Sequence, residues 1–129
     1  MPKPSPAFRP ISALPEIRDL LDGAPAVLKH DISRIKALLA DPNALLPPPV
    51  VAFTLQEAKD ALDLLRAHSQ QLARWQNDPI TEAERSEVAR LQSAIPEIRP
   101  LVQRLIALAT ELDTRARTGI RSPRKKWQH

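Results

Sequence analysis

A chain of 129 residues, 43% hydrophobic and 26% charged, has the makeup of one folded domain rather than of a disordered or membrane-spanning chain. The absence of cysteine excludes disulfides and thiolate metal sites. Two glycines, no tyrosine and few aromatic residues argue against a sandwich or barrel, folds that need turn glycines and strand aromatics. The net charge of +4 hides an asymmetry: residues 115–129 hold six basic side chains and no acid, leaving 13 basic and 15 acidic side chains elsewhere. A body of about −2 with a tail of +6 suggests a polyanionic partner for the tail alone.

Leu, Ala, Arg and Glu dominate, so the expected class is all-α: an antiparallel bundle of four to five helices. Residues 1–11, with four prolines, form an extended arm, either a free terminus or a strap anchored by Phe8. Residues 12–118 are the helical domain and residues 119–129 a basic tail. Ser12 is placed to cap a first helix over Ala13 to Asp22, with Ile17, Leu20 and Leu21 on its apolar side and Gly23 and Pro25 ending it. A second helix follows from Pro25 to Ala40, with Leu28, Ile32, Ile35, Leu38 and Leu39 at helical spacing.

Residues 41–53 read as a stiff proline-rich crossover around Pro47, Pro48 and Pro49. Its apolar flanks are expected to pack across a helix and bury Leu45, Leu46, Val50, Val51 or Phe53. The alternative is a proline-rich ligand for an aromatic groove. Thr54-Leu-Gln-Glu57 is a capping box for a third helix to Gln76, with a seam at Leu55, Ala58, Leu62, Leu65, Ser69 and Leu72. Leu64 and Trp75 widen that seam. Thr81-Glu-Ala-Glu84 is a second capping box. It opens a long helix, to Thr118, that lies antiparallel to its predecessor.

This last segment carries the longest pattern in the chain: Val88, Leu91, Ile95, Ile98, Val102, Leu105, Ala109, Leu112 and Ala116, in alternating steps of three and four, as in coiled coils. Leu101, Ile106, Ala107 and Leu108 add apolar surface off the seam, so cover from more than one direction is expected. Pro96 and Pro100 predict a kink near residues 93–98, since a mid-helix proline removes a hydrogen bond and clashes with the preceding turn. Ser93-Ala-Ile-Pro-Glu-Ile-Arg-Pro-Leu-Val102 matches Ser12-Ala-Leu-Pro-Glu-Ile-Arg-Asp-Leu-Leu21 at seven of ten positions. It is read as one helix-start solution used twice, or as a duplication. Gly119 is expected to end the helix.

Catalytic and metal patterns are missing. His30, His68 and His129 have no ligand partners at helical spacing, and the carboxylate pairs Asp60/Asp63 and Glu84/Glu87 have basic neighbours, the pattern of a solvated face. There is no phosphate-binding glycine loop and no nucleophile motif. The expectation is a non-enzymatic protein without cofactor, metal or small-molecule substrate. No apolar run approaches a membrane span, and prolines stand where a signal peptide would need an apolar core, so a cytoplasmic location is expected.

Two functional readings remain. In the first, the chain is an assembly or adaptor module, oligomeric or part of a larger complex, with Trp75, Leu101, Leu105, Leu108 and Leu112 at a protein interface. In the second, it is a nucleic-acid-binding accessory protein. Ser122-Pro-Arg-Lys125 resembles the Ser-Pro-basic-basic repeats of linker-histone tails, and Arg115, Arg117, Arg121, Ser122, Arg124, Lys125, Lys126 and Trp127 would contact phosphates or bases. A solubilising terminus, or an acidic protein or lipid surface as the partner, are the other roles open to the tail.

Overall fold

The computed structural model describes residues 8–127, with side chains to residue 118. A 3₁₀ turn at Ile11–Ala13 leads into three long helices: α1 (Leu14–Ala40), α2 (Pro48–Gln76) and α3 (Glu82–Trp127). The all-α class holds. The four to five helices expected from the sequence are three, because the chain does not break at Gly23 or at Pro25.

Both residues lie inside α1. Gly23 does not adopt a positive φ, so it acts as an ordinary helical residue rather than a stop. A glycine and a proline within a helix cost about 4 kcal/mol together. A reversal at that point would lift Leu28, Ile32 and Ile35 from the core, where all three are buried. That would forfeit roughly 5–9 kcal/mol of apolar burial. Burial therefore wins over local propensity.

Ser12 lies in the 3₁₀ turn and does not cap; the cap position of α1 is Ala13, with no side-chain hydrogen bond. The crossover is shorter than expected, because α2 starts at Pro48 with proline in its first turn, where the missing N–H has no partner to lose. Thr54 is thus already inside α2, its hydroxyl donating to the Val50 carbonyl at 3.1 Å. Of the crossover's apolar residues, Val51 is buried and Leu46 half-buried, whereas Leu45, Val50 and Phe53 are exposed.

The second capping box forms as read. The Thr81 amide donates to Glu84 Oε1 at 2.8 Å, and the Glu84 amide donates to Thr81 Oγ1 at 3.1 Å. The tight return from α2 is fixed by Arg85, whose guanidinium donates to the carbonyls of Gln76 and Asp78.

The expected kink in α3 is replaced by one unbroken helix. Pro96 and Pro100 are exposed, while Ile95, Ile98 and Val102 beside them are buried. Holding the seam against its neighbours offsets the two lost backbone bonds. The repeat is likewise a repeat of a buried face, not of a helix start: Leu14, Ile17 and Leu21 are buried in α1, and Ile95, Ile98 and Val102 in α3. Nor does the helix end at Gly119, since its backbone stays helical to Trp127.

All nine seam positions of α3, from Val88 to Ala116, are buried. α3 is the central element: α1 and α2 each pack against it and scarcely touch one another. α1 runs parallel to α3, as two long-range contacts show. Arg90 grips Asp22 with both terminal nitrogens, at 3.1 and 3.0 Å, and the Arg115 guanidinium donates to the Leu39 carbonyl. Arg90 also binds Glu87 at 2.8 and 2.9 Å. Its bonds to Glu87 and then Asp22 raise its pKa, and Arg90 holds both carboxyls below their ordinary range.

Candidate docking groove

α1 and α2 flank α3 and scarcely touch one another, and the two ends of the seam between them differ. At the start of α1 the N-terminal segment bridges it. The Arg9 amide donates to Gln71 Oε1 at 2.5 Å, and the Arg9 carbonyl accepts from Trp75 Nε1 at 2.8 Å and from Gln71 Nε2 at 3.3 Å. The Arg9 side chain pairs with Glu16 of α1, and Arg74 lies over the Phe8 ring at 4.9 Å. From Phe8 onward the arm is thus a strap.

His68 lies beneath this strap, half-buried, its Nε2 without a hydrogen-bond partner. Burial, followed by the nearby Arg9 charge, lowers its pKa, while Glu16 acts against them. His30 is exposed.

At the other end the space is open: a groove of about 400 Å³ between the second half of α1 and the first half of α2. Leu105 and Leu112 of α3 lie at its floor, Leu28 and Ile35 form one wall and Val51 and Ala58 the other. Its rim is apolar and in water. Leu45 is 89% exposed, Val50 and Val27 59% each, and Leu38 also belongs to it. Four large apolar side chains around one apolar trough are a patch, unlike singly scattered surface hydrophobes. The polar groups at the groove are few and partly engaged: Asp31 pairs with Arg34 at 3.7 Å and Thr54 with Val50, with Glu57 beside them.

Of the interface residues expected from the sequence, Trp75, Leu105 and Leu112 are buried by the chain's own helices, and Leu101 and Leu108 are half-buried against the same core. The seam of α3 is covered from two sides, by α1 and by α2, whereas off the seam Leu101, Ile106 and Leu108 are half-buried and Ala107 is exposed. The large exposed apolar side chains of the helices and the crossover sit on α1, the crossover and α2. Within the sequence, the sign of them was the run Leu45-Leu46-Pro-Pro-Pro-Val50-Val51-Ala-Phe53, too apolar for a solvated connection.

Of the tail residues proposed for nucleic acid, Arg115 binds the Leu39 carbonyl, and Arg117 pairs with Asp113 at 2.9 Å, so both serve the body. The side chains of Arg121, Ser122, Arg124, Lys125, Lys126 and Trp127 lie outside those described. The carboxylate pairs are tied to their neighbours. Asp60 accepts from Gln56, Asp63 pairs with Arg66, Glu84 caps α3 and Glu87 binds Arg90. Among the described residues no three His, Asp or Glu side chains gather as a metal site would require, and no helix is long and apolar enough to cross a membrane. Comparison with known protein families, curated proteins and solved structures finds no match to this chain.

Proposed function

We propose that this protein is a non-enzymatic assembly module that docks an amphipathic helix between α1 and α2. The observation that carries the proposal is the cluster of exposed apolar side chains, Leu45, Val50, Val27 and Leu38, around a pocket of about 400 Å³ between α1 and α2. A site for a small molecule would pair such a trough with converging free polar groups. Here the polar side chains of the lining are few: the Asp31–Arg34 pair and the Thr54 hydroxyl are engaged within the chain, and Glu57 is the one other. Exposed apolar side chains along two neighbouring helices match helix-in-groove recognition, in which an incoming helix lays one apolar face against such a strip. The strap supports this reading, because it shows the same two helices being bridged by a third segment at their other end.

The test is site-directed photo-crosslinking in the native cells, with the reactive group at position 50 and, as control, at Arg66 on α2. Position 50 is expected to capture a discrete protein species, and Leu45→Asp in the same chain to remove it. Equal capture from both positions, or capture indifferent to Leu45→Asp, would overturn the proposal.

A further inference from the structure

We infer that the N-terminal strap is a proton-operated latch: protonation of His68 releases the Phe8–Arg9 segment from α2 while the three helices stay assembled. The inference is independent of the docking site at the other end of the seam and stands or falls without it.

The strap is tied mainly at one residue. The amide and carbonyl of Arg9 pair with the buried Gln71 side chain, and the same carbonyl accepts from the buried Trp75 indole. The side-chain ties lie at the surface. Arg9 and Glu16 are each about half exposed where they pair, and Arg74 covers a Phe8 that is itself exposed. Surface pairs of this kind hold weakly. Pro10 follows, with no N–H to add another tie. The helices, by contrast, are held by the buried seam from Val88 to Ala116. The strap is therefore the segment that opens first.

His68 stands one turn before Gln71 on α2, with its Nε2 buried and without a hydrogen-bond partner. The charged groups that act on it are Arg9 from the strap and Glu16 from α1; among the described residues no charge on α3 adds to these. A neutral ring tolerates this place. An imidazolium carries an N–H on both nitrogens. With the strap closed, one of these would be shut away without an acceptor, and the cation would face the Arg9 guanidinium. Glu16, the acid that would favour the cation, is already held by Arg9.

Arg9 thus has two parts in the latch. Its main chain closes the strap on α2, and its side chain disfavours a charge on His68. Opening carries that side chain away, leaves Glu16 free to face the ring and lets water reach Nε2. All three changes favour the imidazolium, so the open strap binds a proton more readily than the closed one. By linkage, a proton taken up by His68 favours opening. The closed form is fully supported above pH 6.5, the ordinary value for the ring, and loses that support as the pH falls from there.

Nuclear magnetic resonance of the full chain between pH 7 and pH 5 tests this. It follows the exchange of single N–H groups with water, after allowing for the pH dependence of the exchange chemistry. The Arg9 amide and the Trp75 indole N–H are expected to lose protection together, over the pH range in which the His68 ring resonances titrate. The amides of Ile98 and Leu105 are expected to keep theirs. His68→Leu should hold both strap groups protected throughout. His68→Gln, equally without a charge, gives the same reading should the leucine lower helicity. Arg9→Gln keeps the main-chain bonds and is expected to raise the His68 midpoint, because a repelling charge goes and Glu16 is freed. Three results would overturn the latch in the natural chain: strap groups protected down to pH 5, protection lost equally in the His68 variants, or protection lost only together with Ile98 and Leu105. A His68 midpoint unmoved by R9Q would overturn it as well.

Discussion

The indole N–H of Trp75 donates to the backbone carbonyl of Arg9 at 2.8 Å, across 66 positions of sequence. Trp75 is fully buried, so its single donor must find its partner inside the protein, and Arg9 supplies it. Gln71, one turn earlier and also buried, pairs with both the amide and the carbonyl of the same residue. Trp75→Phe keeps most of the apolar volume and removes the donor. The expected cost is about 1–3 kcal/mol in chemical denaturation, from the lost bond and the small void left by the indole. Exchange of the Arg9 amide should also quicken. Unchanged protection of that amide would show that the strap is held by Phe8 and the Arg9–Glu16 pair instead.

His68 gives the stability of the fold a pH dependence. Its folded pKa lies below its ordinary value of 6.5, chiefly through burial and then through Arg9. The neutral ring is therefore the form the fold accepts, and the unfolded chain takes up a proton first as pH falls. The contribution to stability is complete above pH 6.5 and is lost as the pH drops from there toward the folded pKa. Asp22 and Glu87, both held low by Arg90, lose their contribution only below their ordinary values of 3.8 and 4.5. Denaturation midpoints measured between pH 7 and pH 5 should fall for the natural chain and stay flat for His68→Leu. The leucine also removes a buried nitrogen that has no partner. An equal slope in both proteins would place the titrating group elsewhere.

Gly23 sits within α1 with nothing within 4 Å of where a Cβ would stand, and its φ is in the ordinary range. Gly23→Ala adds a side chain into open space and removes the backbone freedom of glycine in the unfolded chain. The expected gain is about 0.5–1 kcal/mol, read from urea denaturation. Destabilisation would mean that α1 bends at this position in solution.

The nine seam residues of α3 were legible because a period repeated so many times survives any local exception, and every one of them is buried. The Thr81 box was legible because both of its bonds are local. The same four-residue pattern at Thr54 misled, since Pro47-Pro48-Pro49 starts α2 earlier and the Val50 carbonyl accepts the Thr54 hydroxyl within the helix. Gly23 and Pro25 misled because local propensity does not register the burial of Leu28, Ile32 and Ile35 beyond them. The groove had no linear signature. It depends on the angle at which α1 and α2 sit around α3, and a one-dimensional pattern does not carry that angle. Only the greasy crossover hinted at it, while Trp75, Leu105 and Leu112, read both as seam residues and as interface candidates, are buried within the chain's own core.

Pro96 and Pro100 make this contest between local and tertiary terms measurable. Both are exposed inside a helix that does not break, so neither ring packs into the core. Each lacks the N–H that would bond four residues back, to the carbonyls of Gln92 and Pro96, and each crowds the turn before it. Pro96→Ala restores a donor for Gln92 and removes that crowding while leaving Ile95 and Ile98 in place. Intrinsic propensities differ by about 3 kcal/mol between proline and alanine in a helix interior. Part of this is offset, because proline also restricts the unfolded chain. A stabilisation of about 1–3 kcal/mol is expected for either substitution alone. The double variant should show a less than additive gain, since the N–H that Pro100→Ala restores would donate to the carbonyl of residue 96 itself and the two sites share a turn. Loss of stability in Pro96→Ala would mean that the proline fixes a bend that α3 needs in order to follow α1 and α2.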